Sequence, residues 1–188
     1  MSIGDSRRRR RIRRFVLSIC LVLIVVVVSG LPVFVRPQID PLRHADAILI
    51  LGGYGEYRYL FGLELAEQGW ASQLVVSNPK GARDVWKRRD FCADPPSRVD
   101  VHCFVPDPNT TKGEGQELRR LASRYGWRTV IVVTFWAHIS RARFILEQCF
   151  DGDLVMRASP DHIPLTRWVY EYFYQTAGYV RAALQPGC

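Results

Sequence analysis

A chain of 188 residues, 48% hydrophobic and 23% charged, has the composition of a folded protein and not of a disordered or fibrous one. Its formal charge of +8 is unevenly placed: residues 1–36 hold eight Arg against one Asp, and the remainder holds 18 basic against 17 acidic side chains. A nucleic-acid-binding domain carries its basic patch on the folded part, so the near-neutral remainder sets that class of partner aside.

The first 14 residues form a basic arm with seven Arg between Arg7 and Arg14. Residues 15–35 follow without a charge, reading FVLSICLVLIVVVVSGLPVFV. As a helix rising 1.5 Å per residue they reach about 32 Å, close to the thickness of the bilayer core. A lone segment cannot close a barrel, so in lipid only a helix satisfies its backbone. The arginine arm predicts a cytoplasmic N-terminus, a single pass through the cytoplasmic membrane and an extracytoplasmic domain. A cleaved signal peptide is the rival reading, although its apolar core normally runs to about 7–15 residues. The one candidate cleavage site is Val28-Ser29-Gly30, and Arg13-Arg14-Phe15-Val16-Leu17 loosely resembles a twin-arginine export signal. Either alternative also exports the domain. Ile19 before Cys20, deep in the apolar run, argues against lipidation there. Residues 36–44 read as a linker because Pro37 and Pro41 block regular structure.

Residues 45–188 alternate strand and helix signals. Residues 45–51 form an apolar run ended by Gly52-Gly53, the pattern of a buried strand. Leu60, Leu63, Leu65 and Ala66 predict a helix over 57–69, with Gly69 as its terminating residue. A second strand is expected at 73–77, a helix at 82–89, a polar loop to 98 and a third strand at 101–105. Thr111 and Glu114 are spaced as a capping box, and Leu118, Leu121, Ala122 and Tyr125 mark one face of the helix behind it. TVIVVT at 129–134 is the clearest strand, followed by a helix over 138–150 and a strand at 154–157. The final aromatic-rich helix, 165–184, is expected to break near Gly178. Apolar strands separated by helices imply an α/β fold, a three-layer α/β/α Rossmann-like sandwich on a mainly parallel sheet.

In such folds ligands bind at the carboxyl ends of the strands. Gly52 and Gly53 there let backbone approach a ligand closely, and a following helix N-terminus favours an anion; a plain tight turn is the structural alternative. Thr110, Thr111 and Glu114 follow the third strand, where a cap alone also accounts for them. His138 and Arg141 follow the fourth, suited to proton transfer and to holding a carboxylate or phosphate. Arg143 falls on another face and is expected to be solvated. Arg58, Glu114, His138 and Arg141 thus converge at one edge. The four His are scattered and no CxxC or HExxH occurs, so no metal is expected. The glycine pattern is not GxGxxG, and no cofactor is assigned.

The order of these motifs resembles the YdcF-like family, with its SanA-like and ElyC-like envelope proteins, also called domain of unknown function 218. The resemblance runs from Ala45 to Leu184 and is most specific at Thr110–Glu114 and Val132–Ala142. It implies the Rossmann-like fold and an envelope role in barrier function or the handling of lipid-linked cell-wall precursors. By position it points to Gly52, Gly53, Arg58, Ser77, Thr110, Glu114, His138 and Arg141. Departures from the pattern are Asn78-Pro79 after Ser77, Phe135 where a small residue is usual, and Gln175 where an acid is usual. They imply a more crowded, more aromatic pocket.

Two functions stand against each other. One is an enzyme, a hydrolase or transferase, acting on a small anionic envelope metabolite, with Arg58, Arg141 and the Gly52-Gly53 amides binding it and His138 or Glu114 as general acid or base. The other is a non-catalytic binding or scaffold protein whose aromatic helix, Trp168 to Tyr179, docks a protein partner or the membrane surface. Of the five cysteines, Cys92 and Cys103 are the closest outside the apolar run, and an exported domain allows them to bridge; connectivity cannot be read from sequence.

Overall fold

The computed structural model describes residues 3–53, 55, 57–79, 92 and 99–188. The helix expected at 82–89 and the loop after it lie outside the described residues.

The chain opens with a helix, α1, Ile3–Gly30, continued by a π-helical turn, Leu31–Val35. Residues Arg8–Val35 are long and apolar enough to cross a membrane, with a mean hydropathy of 2.9 over their most apolar 18 residues. Among the described residues five strands then form one parallel sheet: β1 Ala47–Ile50, β2 Gln73–Ser77, β3 Asp100–Phe104, β4 Thr129–Thr134 and β5 Asp153–Ala158. Their order is β3-β2-β1-β4-β5, so the chain reverses its direction of winding between β1 and β4. The helices are α2 Tyr57–Glu67, α3 Thr111–Tyr125, α4 Ile139–Leu146 and α5 Leu165–Leu184. The fold is the α/β class expected.

Strand alternation divides the core between the two faces of the sheet. Leu49, Val130 and Val132 pack on one face with Leu118, Leu121, Ile139 and Leu146 from α3 and α4. Ile48, Ile50, Ile131 and Val133 pack on the other with Tyr59, Leu65 and Ala66 from α2. Both faces are covered, which is why the central strands read as unbroken apolar runs. Gly69 closes α2 in the left-handed conformation, φ 83°.

Four local expectations are corrected. The helix expected from His138 starts instead with a 3-10 turn, Trp136–His138, and ends at Leu146. The last helix is unbroken at Gly178. The linker is not a free spacer. Asp40 exchanges backbone hydrogen bonding with β5, where its N–H donates to the Met156 carbonyl at 3.2 Å and its carboxylate accepts from the Met156 N–H at 2.7 Å. Arg143 is not solvated: it pairs with that same carboxylate and is 20% exposed. The ion pair seals the outer edge of β5, which an unpaired strand would leave open.

The end of α1 is built into the domain. Trp136 Nε1 donates to the Val35 carbonyl at 2.7 Å and Ser140 Oγ to the Val33 carbonyl at 2.7 Å. Phe34 is 6% exposed, beside Tyr172. Two disulfides tie the domain together, Cys92–Cys103 and Cys149–Cys188; Cys20 is free and exposed on α1. The second, spanning 39 residues, was not anticipated.

Candidate functional site

The winding reversal between β1 and β4 opens a crevice at the carboxyl end of the sheet, where ligands bind in folds of this kind. A cleft of about 1220 Å³ occupies it. Gly52, Gly53, Arg58, Thr110, Thr111, Glu114, His138 and Arg141 all line it, delivered by the segments after β1, β3 and β4. Ser77, at the end of β2, does not line the cleft; it lies fully buried behind Glu114.

Glu114 is the hub. Its Oε1 accepts a hydrogen bond of 2.6 Å from the Gly52 N–H, pinning the loop after β1 to α3. A side chain at Gly52 would run into Pro79 and crowd that carboxylate, which is why glycine stands there. The capping box expected of Thr111 and Glu114 is therefore not formed. Thr110 is the N-cap, accepting from the Gly113 N–H at 3.5 Å, and Glu114 reaches across to the loop after β1 instead of back to its own helix. Burial raises the Glu114 pKa above its ordinary 4.5, while Ser77, the Gly52 N–H, Arg58 and Arg141 each pull it back.

Thr111, released from capping, faces His138. The His138 ring is held between two hydroxyls, Thr111 Oγ1 at 3.3 Å from Nε2 and Thr134 Oγ1 at 3.0 Å from Nδ1. Phe135 stacks on it at 5.7 Å. At 3% exposure, with Arg141 and Arg58 nearby, its pKa falls well below 6.5, so the imidazole is neutral at neutral pH. A neutral ring offers one donor and one acceptor.

The two arginines differ in what they are doing. Arg58, 2% exposed, donates through Nη2 to the Gly53 carbonyl and, at 2.8 Å, to the Tyr59 hydroxyl. It braces the loop. Arg141 donates from Nε to Gln175 Oε1 at 2.7 Å, and among the described residues it forms no ion pair. Burial lowers its pKa from the ordinary guanidinium value, the mark of a cation that has lost water without gaining a carboxylate in contact among the described residues. Gln175 is passed on to Glu171 at 2.8 Å, which binds Arg167 at 2.6 Å.

Sequence reasoning missed the relay through Glu171, and it missed Asp161. The Asp161 carboxylate accepts from the Tyr57 N–H at 3.2 Å and from Ser159 Oγ, so the N-terminus of α2 holds the protein's own anion. Nothing nearby in sequence marks either contact, since each joins residues in different elements or turns on a single helical spacing among many.

Among the described residues of the cleft wall, Arg58, Lys112, Arg141, Arg167 and Arg181 stand with three carboxylates, Glu114, Asp161 and Glu171. The described lining is thus basic in balance although the domain beyond the arm is nearly neutral. Compared with protein-family models, curated proteins and solved structures, the chain finds no match.

Proposed function

We propose that the chain is a membrane-anchored, YdcF-like protein of the cell envelope that binds a small anionic metabolite, phosphorylated or lipid-linked, at the carboxyl ends of its strands. The observation that carries this reading is Arg141: a largely buried guanidinium in a large cleft, bonded to an amide and, among the described residues, to no carboxylate. A phosphate or carboxylate there restores the charge-assisted partner that the chain withholds. The excess of basic groups around it favours the same class of ligand. The arginine arm and the apolar helix support an N-terminus in the cytoplasm and a domain outside. Two disulfides are in keeping with an oxidising compartment.

Catalysis is the further step within this reading. His138 is neutral and can take a proton through Nε2 once Thr111 Oγ1, at 3.3 Å, yields to a substrate; Glu114 is the second candidate acid or base. The alternative, a non-catalytic binding or scaffold protein, is favoured by one feature: both His138 nitrogens and the Glu114 carboxylate already hold the fold together. Mass spectrometry of the full chain purified in mild detergent tests both. A phosphorylated species that co-purifies with the wild type and disappears in Arg141→Ala is expected. Its turnover, lost in His138→Ala, selects the enzyme. No anionic species in the wild type, together with no stabilisation by inorganic phosphate, overturns the anion site.

A further inference from the structure

The outward face of α5 is mainly apolar, interrupted by the hydroxyls of Thr166 and Thr176. Leu165, Val169, Phe173, Val180 and Leu184 are 86%, 63%, 75%, 54% and 78% exposed. At about 100° per residue they share a single arc of the helix that contains no charged residue. Arg167, Glu171 and Arg181 stand on the opposite side, toward the cleft. A free apolar face of this size on a folded domain marks an interaction surface.

Its neighbour identifies the occupant. Tyr172 borders the arc, and its ring lies against Gly30 so closely that a side chain at Gly30 would strike it. The Tyr172 hydroxyl donates to the Val27 carbonyl at 3.5 Å, and Phe34 meets the ring edge-on at 5.2 Å. Seven residues further along α5, Tyr179 reaches Phe34 at 6.5 Å. Counted from Phe15, Val27 and Gly30 lie roughly 18 and 22 Å into a span about 30 Å deep. A helix fastened to α1 at that level has its adjacent free face beside acyl chains and headgroups.

We infer that the apolar face of α5 is covered by the lipid of the membrane that α1 crosses, with its N-terminal half the deeper end. The inference rests on the reading that α1 spans a bilayer. The direction of tilt follows from the two contacts: Tyr172 meets Val27 and Gly30, while Tyr179 meets Phe34, nearer the exit of the span. Helices at an interface bury their apolar face about 5–10 Å into this boundary. The cleft opens beside the membrane surface, within reach of a ligand held there.

The test uses the full chain in phosphatidylcholine–phosphatidylglycerol vesicles, with Cys20→Ser as background and a fluorophore on a single introduced thiol. Phe173→Cys carries the label on the stripe, Val169→Cys serves if the first variant misfolds, and Val180→Cys reports the shallower half. Ser123→Cys, exposed on α3, is the aqueous control, and the native Cys20 in the unaltered chain reports the span itself. Brominated lipid is expected to quench the labels at 173 and 169 severalfold more than the label at 123, with 180 between them, while aqueous iodide shows the reverse order. Iodide access at 173 equal to that at 123 overturns the inference. So does protection from both quenchers, which assigns the face to protein. If the Cys20 label is quenched by lipid and the others are not, the span stands and the lipid-covered helix falls. If Cys20 is not quenched either, both fall.

Discussion

His138 is a titratable ring sealed among groups that keep it neutral, and that alone gives the protein a pH dependence. In the unfolded chain the ring binds a proton below its ordinary 6.5; in the fold, burial and the two arginines hold its pKa well under that value. Between the two values the unfolded state carries more protons, so stability falls as pH drops below 6.5, by up to about 1.4 kcal/mol per pH unit. Glu114 works with the opposite sign: its raised folded pKa lets the native state keep a proton longer, so its contribution falls as pH rises above 4.5. Urea unfolding of wild type and His138→Gln from pH 7.5 to 5.5 separates the two. The wild type is expected to lose stability more steeply than the variant; parallel slopes exclude a buried neutral histidine. The same residue shows why the site was half legible. Its position after β4 follows from strand and motif spacing, but its two threonine partners do not. Thr110 and Thr111 fit a cap equally well in sequence. The choice between them turns on the Gly52 N–H, which claims Glu114 from 62 residues away.

At the scale of an element, Gly178 reads in sequence as a weak point, because glycine inside a helix is about 1 kcal/mol worse than alanine. The structure keeps the helix whole and uses the missing side chain for space. A Cβ at Gly178 would stand 2.7 Å from Arg141 Cδ and 2.9 Å from its Nε. Gly178→Ala therefore separates stability from function. The helix gains its propensity, and the flexible arginine gives way, leaving Gln175. The expected outcome is an unfolding midpoint equal to or above that of wild type, with binding of the co-purifying anion, or of inorganic phosphate, reduced toward the level of Arg141→Ala. Calorimetry and titration on the same preparation check it, and retained binding would falsify the view that Gly178 sets the position of Arg141. The central strands β1 and β4 were the easiest elements to read, since burial on both faces leaves them almost wholly apolar between their ends. The linker was the hardest, because Asp40 finds its partners, Arg143 and β5, more than a hundred residues away.

For the whole molecule, the alternation of strands and helices announces a parallel sheet, but not the order β3-β2-β1-β4-β5, which depends on which strand edges meet in space. The Cys149–Cys188 bridge escaped notice for a related reason: its ends are far apart in sequence and come together only once α5 is laid against α4. That bridge matters because α5 is thinly attached. Its fully buried side chains are Glu171 and Gln175, both polar, and its apolar face points away from the domain. What holds it are the Arg141–Gln175 hydrogen bond, the packing of Tyr172 and Tyr179 on Phe34 and of Trp168 on the cluster around Phe135, and the disulfide at its far end, where the Gly187 N–H also donates to Gln148 Oε1 at 2.9 Å. Closing a loop of 39 residues removes enough freedom from the unfolded chain to stabilise by about 4 kcal/mol in the chain-entropy account. Cys188→Ser, paired with Cys149→Ser to avoid a stray thiol, is expected to lose a comparable amount. The loss should not be uniform. Amide exchange in 165–184 should rise first and furthest, while β1 and β4, buried on both faces, keep their protection until global unfolding. Because α5 forms one wall of the cleft, anion affinity should fall with it even where the sheet is intact. Equal acceleration of exchange in α5 and in β4 would mean that the bridge steadies the domain as one unit, and that the cleft wall is no looser than the floor beneath it.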